Sequence, residues 1–83
     1  MQKTNVKKVV IYTTPQCSFC HMAKEYFEEK GVAYEEYDVS KDEVKRKEMI
    51  SQAGMIAVPV IKIGKEIIIG FNKPKINEAL GMN

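Results

Sequence analysis

A β-branched apolar run, KVVIY at residues 8–12, is followed across the break at 13–16 by apolar residues recurring at helical spacing. This succession restricts the fold more than any other feature of the chain. The apolar run reads as a buried strand. In residues 18–30 (SFCHMAKEYFEEK), Phe19, Ala23, Tyr26 and Phe27 share one helical face, while Lys24, Glu25, Glu28 and Glu29 lie mostly on the other. Gly31 supplies a C-terminal stop, and residues 32–39 (VAYEEYDV) read as a second strand with imperfect alternation. A strand, helix and strand in succession imply a parallel pair with a right-handed crossover.

The second half repeats the theme and then changes it. Ser40 and Glu43 have the spacing of a capping box, which predicts a helix running to about Ala53 and ended by Gly54. Its apolar face, Val44, Met49, Ile50 and Ala53, is weak. Residues 58–63 form a third strand interrupted near its start by Pro59. Gly64-Lys65 makes a tight turn into a fourth strand at 66–69. Asn72 caps a last helix, with Pro74 in its first turn and Ile76, Ala79 and Leu80 inward. The order β-α-β-α-β-β-α predicts one α/β domain over residues 1–83. Its sheet is mixed and four-stranded, with helices on both faces.

Bulk properties exclude several classes. The net charge of +2 is small, and Lys3, Lys7, Lys8, Lys45, Arg46 and Lys47 form no long basic block. With no Trp and no aromatic set on a basic face, nucleic-acid binding is not expected. The apolar run near the N-terminus is too short for a signal sequence or a membrane span. A cytoplasmic monomer is therefore expected. In that compartment a cysteine pair is catalytic or metal-binding more often than structural.

Cys17, Cys20 and His21, the only cysteines and the only histidine of the chain, sit within PQCSFCH. A c-type haem attachment site has this literal spacing, but it requires export, a haem-sized pocket and usually a second axial ligand. A closed zinc site needs four ligands, so a second copy or external thiols would have to complete it. Two buried cysteines acting as small hydrophobes are the plainest reading. A redox dithiol accounts for more. Cys17 falls at a helix N-terminus, where free N–H groups and the dipole favour a thiolate. Cys20 lies one turn on, on the same face and deeper. Cys17 is then the attacking thiol and Cys20 the resolving one. His21 reads as a helix-surface residue.

These features together resemble a glutaredoxin of the thioredoxin superfamily. The resemblance covers nearly the whole chain. It is carried by VVIYTTP, by CSFC, by AVPV at 57–60, and by EIIIGFNK before a short helix. It implies a thioredoxin-like fold and a thiol–disulfide oxidoreductase with no bound cofactor or metal, and with glutathione as co-substrate. It also implies a cis bond between Val58 and Pro59, with the backbone of Val58 pairing with an incoming peptide or with glutathione. Thr14, Phe19, Ala57, Val58, Pro59, Gly70, Phe71 and Asn72 are the implied binding residues, and Cys17 and Cys20 the catalytic pair. Implied partners are disulfide-containing or glutathionylated proteins, with glutathione or thioredoxin reductase as electron source.

The chain departs from the family pattern at informative places. Ser18-Phe19 replaces the usual Pro-Tyr, Thr14 the usual lysine, and Ala57 the usual threonine. Ile69-Gly70-Phe71-Asn72-Lys73 stands where the family has Gly-Gly-x-Asp-Asp, so both acids are absent. In this the chain resembles the small redoxins that donate electrons to ribonucleotide reductase and draw them from thioredoxin reductase. An iron–sulfur cluster carrier is the alternative of another class.

Overall fold

The structure, a computed structural model, describes residues 8–81. Lys3 and Lys7, read above as solvated surface, lie outside the described residues. Seven elements follow the expected order: β1 (Val9–Thr13), α1 (Ser18–Glu29), β2 (Glu35–Asp38), α2 (Glu43–Ala53), β3 (Val60–Ile63), β4 (Glu66–Ile69) and α3 (Lys73–Leu80). The sheet order is β2-β1-β3-β4, with β1 parallel to β2 and antiparallel to β3, and β3 antiparallel to β4. This is the thioredoxin-like arrangement of a mixed sheet between two helical layers.

Strand alternation sends side chains to two separate cores. On one face Val9, Ile11, Ile61, Ile63 and Ile68 meet Ala23 and Phe27 of α1 and Ile76 and Ala79 of α3. On the other face Val10, Tyr12 and Val60 meet Met49 of α2. Every residue of β1 is buried, because the strand is central in the sheet and covered on both sides. The Tyr12 ring lies in the second core while its hydroxyl donates to Glu48 Oε1 at 2.8 Å, tying β1 to α2. Burial first, and the Glu48 carboxylate second, raise the Tyr12 phenol above its ordinary range.

Several boundaries differ from the sequence reading, each for a local reason. β1 extends through Thr13, whose backbone continues the pairing with β2. β2 begins at Glu35 rather than Val32, because Val32 N–H still donates to Phe27 O (2.8 Å) in the turn that ends α1. The cap of α2 is Asp42, whose carboxylate accepts from Lys45 N–H at 3.0 Å. Ser40 is instead held by Asp38, which accepts from both its backbone N–H and its hydroxyl. Val44 does not face inward and is 74% exposed; Met49 is the buried residue of α2. β3 begins only at Val60, after the proline that cannot donate to a ladder. Phe19 projects at the start of α1 and is 58% exposed, outside the core face it nominally shares. Gly54 takes the left-handed conformation (φ 78°) that ends α2 as expected.

These placements set expected stabilities in urea unfolding. Phe27→Ala removes a fully buried ring and should cost about 3–5 kcal/mol. Asp42→Ala should cost about 1 kcal/mol through the lost cap. Ser40→Ala and Val44→Ala should each change stability by less than about 0.5 kcal/mol. A larger loss from Ser40 than from Asp42 would contradict the cap assignment.

Candidate active site

Strand β1 ends at Thr13, and a short turn carries the chain into α1. Cys17 N–H donates to Thr14 O at 3.3 Å and closes that turn. Cys17 is then the N-cap of α1, with an extended backbone (φ −87°, ψ 107°). Its sulfur accepts the Cys20 N–H at 3.1 Å, taking the place a cap oxygen usually fills. Cys20 lies one turn further on and is fully buried, whereas Cys17 is partly exposed. The two sulfurs are joined as a disulfide, with Cα atoms 5.2 Å apart. The pair is asymmetric as the helix geometry requires: one sulfur at the helix mouth and in reach of solvent, the other shielded.

Neighbouring groups hold this turn. His21, read from sequence as a surface residue, is exposed, but its Nε2–H donates to Pro15 O at 3.1 Å. Glu36 Oε2 on β2 accepts from Thr13 Oγ1 at 2.7 Å and from Lys24 Nζ at 2.8 Å. One carboxylate thus links the end of β1, the edge strand and α1. The Lys24 hydrogen bond holds the Glu36 carboxyl below its ordinary range against partial burial, and the Thr13 hydroxyl adds to that effect.

The implied binding residues fall into groups. The Val58–Pro59 bond is cis, and Pro59 is fully buried. Gly70 N–H donates to Pro59 O at 2.8 Å, bringing the Gly70 turn (φ 87°) beside the proline loop. Thr14, Ala57 and Val58 line one cavity of about 540 Å³. Phe19 stands free on the first turn of α1. Asn72 caps α3, its Oδ1 accepting from Lys75 N–H at 3.2 Å. Phe71 is not part of that cavity. It packs edge-on against Tyr26 at 5.9 Å between ring centres and borders a smaller hollow with Met22 and Lys73.

The same cavity holds residues that the sequence reading missed: Val39, Lys41, Arg46, Met49 and Ile56. A signal for two of them existed. Arg46 and Met49 are three apart on α2 and share a face. Ile56 directly precedes the Ala57-Val58-Pro59 segment and could have been included with it. Val39 and Lys41 come from the β2–α2 connection, whose approach to the proline loop is a tertiary fact. Among the described residues, no group of three or more His, Cys, Asp or Glu side chains is arranged to hold a metal ion. Nor is any helix among them long and apolar enough to cross a membrane.

Comparison with known proteins gives a consistent picture. The family model described as Glutaredoxin matches residues 9–68. The chain is 39% identical over 72 residues to an uncharacterized glutaredoxin-like 8.6 kDa protein in the rubredoxin operon of Clostridium pasteurianum, covering 87% of this chain and 96% of that one. It is 40% identical over 62 residues to glutaredoxin 3 of Escherichia coli, covering 75% of each. Among solved structures it resembles the glutaredoxin-like NrdH-redoxin of Escherichia coli, a protein with a thioredoxin-like activity profile. That likeness has a TM-score of 0.75 at 28% identity, covering 86% of this chain and 92% of the other.

The Glu36 bridge makes the site's support sensitive to acid. Its carboxyl lies below the ordinary value of 4.5 in the folded protein, so its contribution is complete above that value and is lost as pH falls through the lowered one. Glu36→Gln should therefore be less stable than the parent at neutral pH, with the gap closing under acid. A stability difference that stays constant across the acid range would show that the charge is not what counts.

Proposed function

The chain belongs to the glutaredoxin family, and from that premise we propose that it reduces protein disulfides, or mixed disulfides of proteins with glutathione, through Cys17 and Cys20. The observation that carries this reading is the asymmetry of the pair: Cys17 caps a helix within reach of solvent, and Cys20 is buried beneath it. In the reduced protein the Cys17 thiolate attacks one sulfur of the substrate disulfide. A mixed disulfide forms and one substrate thiolate leaves. The Cys20 thiolate then attacks Cys17 Sγ, the second substrate thiolate leaves, and the Cys17–Cys20 bond holds the two electrons' worth of oxidation. Two glutathione molecules, or a reductase drawing on NADPH, restore the dithiol. No bound cofactor takes part.

Substrate backbone would pair along Val58. That residue lies just before the first register position of β3 and so outside the sheet's own ladders. Thr14 and Ala57 line the cavity with Val58, the Gly70 N–H holds the carbonyl of Pro59, and the exposed Phe19 offers an aromatic wall. Asn72, at the cap of α3, and Phe71, packed against Tyr26, complete the proposed contacts. A reducing compartment such as the cytoplasm suits this chemistry, and nothing in the mechanism calls for more than one copy.

The electron source has two readings. Glutathione is the family's usual reductant. Coupling to thioredoxin reductase is favoured by the segment 69–73, which lacks both family acids. The likeness to a redoxin with a thioredoxin-like activity profile points the same way. The potential of the pair should be about −200 to −230 mV in the first case and nearer about −270 mV in the second.

Cys17→Ser should abolish disulfide reduction in every coupled assay. Cys20→Ser should retain turnover of glutathionylated substrate and lose reduction of intramolecular protein disulfides. Full activity in Cys17→Ser would sink the mechanism.

A further inference from the structure

The cavity beside Val58 has a composition that glutathione does not match. Its floor is apolar: Val39 and Met49 are buried in the second core, and Val58 packs against that core. Ile56 forms an outer wall and is 74% exposed, a large apolar side chain left in water at the mouth of the site. Lys41 and Arg46 stand at the rim, and neither makes an ion pair among the described residues. One carboxylate, Glu43, shares the rim, so the lining itself carries two cations and one acid; Asp38, outside the lining, feels the Lys41 charge and offsets part of it, which leaves Arg46 as the principal cation of the rim. The cavity, about 540 Å³, has room for a large side chain and a charged neighbour.

We propose that this cavity selects protein substrates whose reactive cysteine is flanked by a bulky apolar residue and an acidic one. The proposal rests on the reading of Cys17 and Cys20 as a thiol–disulfide pair. A segment laid along Val58 presents its cysteine toward Cys17 and its flanking residues toward the adjoining cavity, which begins at Thr14 and Ala57. An apolar flank covers Ile56 and Met49, and a carboxylate meets Lys41 and Arg46. Glutathione has glycine beside its cysteine. It can place a carboxylate at the rim but leaves the apolar floor bare. Its binding therefore uses only part of the site, and a peptide with the right flank uses both parts. The electron balance is that of the reduction described above: the substrate disulfide gains two electrons and the Cys17–Cys20 dithiol loses them.

The test is single-turnover reduction of synthetic peptide disulfides by the pre-reduced protein, with released thiol as the signal. Three peptides differ only beside the cysteine: leucine with glutamate, serine with glutamate, and leucine with lysine. Glutathione disulfide is run beside them. The leucine–glutamate peptide should react fastest. Replacing leucine with serine should lower the second-order rate constant by about ten-fold or more. Replacing glutamate with lysine should lower it as well, by a factor that shrinks as salt is raised. In Ile56→Ser, a change at an exposed position that should leave the fold intact, the leucine-to-serine ratio should fall, because the outer apolar wall is lost while the floor remains. Equal rates for all peptides would overturn the inference and leave the thiol–disulfide reading standing, as would a leucine preference undiminished in Ile56→Ser. Failure to reduce any disulfide, glutathione's included, would overturn both.

Discussion

Strand β1 pairs with β2 on one side and with β3 on the other, and its five residues are buried from both helical layers. That double burial fixes where the strand ends, and its end fixes the site. A central strand cannot slide by one residue without exchanging Ile11 and Tyr12 between two differently shaped cores. The turn after Thr13 is consequently anchored at its start by the sheet and at its finish by the first turn of α1. Cys17 sits at the junction. Glu36 strengthens this anchoring because its two hydrogen bonds come from the strand end and from the helix.

The chemistry follows from that position more than from the cysteines themselves. A helix N-terminus has backbone N–H groups without intrahelical acceptors, and here one of them is directed at Cys17 Sγ. In the reduced protein the same N–H, with the helix dipole behind it, would favour a thiolate over a thiol. Cys20 is fully buried, out of reach of an incoming substrate. Two identical side chains three residues apart thus meet different surroundings, one at the mouth of the helix and the other beneath it, and the proposed division into attacking and resolving thiols rests on that difference. The cis Val58–Pro59 segment and Gly70 are linked through Pro59 O, which fixes the loop that enters β3.

Much of this was legible in the sequence. The order of elements, the parallel first pair, the terminal hairpin, the Asn72 cap and the location of Cys17 follow from local periodicity and from residues with narrow conformational roles. What was misread has a common cause in competition between nearby polar groups or in tertiary placement. Ser40 and Asp42 are both good caps, and the Asp38 carboxylate decides between them by capturing Ser40. Val44 has the composition of a core residue, but α2 turns only a narrow face inward, centred on Met49. The cavity beside Val58 was invisible for a different reason. It is assembled from the β2–α2 connection, α2 and the proline loop, and no local pattern states that these three meet.

The central claim is that the fold makes Cys17 a nucleophile and shields Cys20. It is tested most directly by the pH dependence of alkylation of the fully reduced protein, with the modified residue identified by mass spectrometry. The account predicts that Cys17 alone is modified at neutral pH and that its rate profile has a midpoint below the ordinary thiol value of about 8.5. Equal modification of Cys17 and Cys20, or a Cys17 midpoint at or above that value, would contradict it.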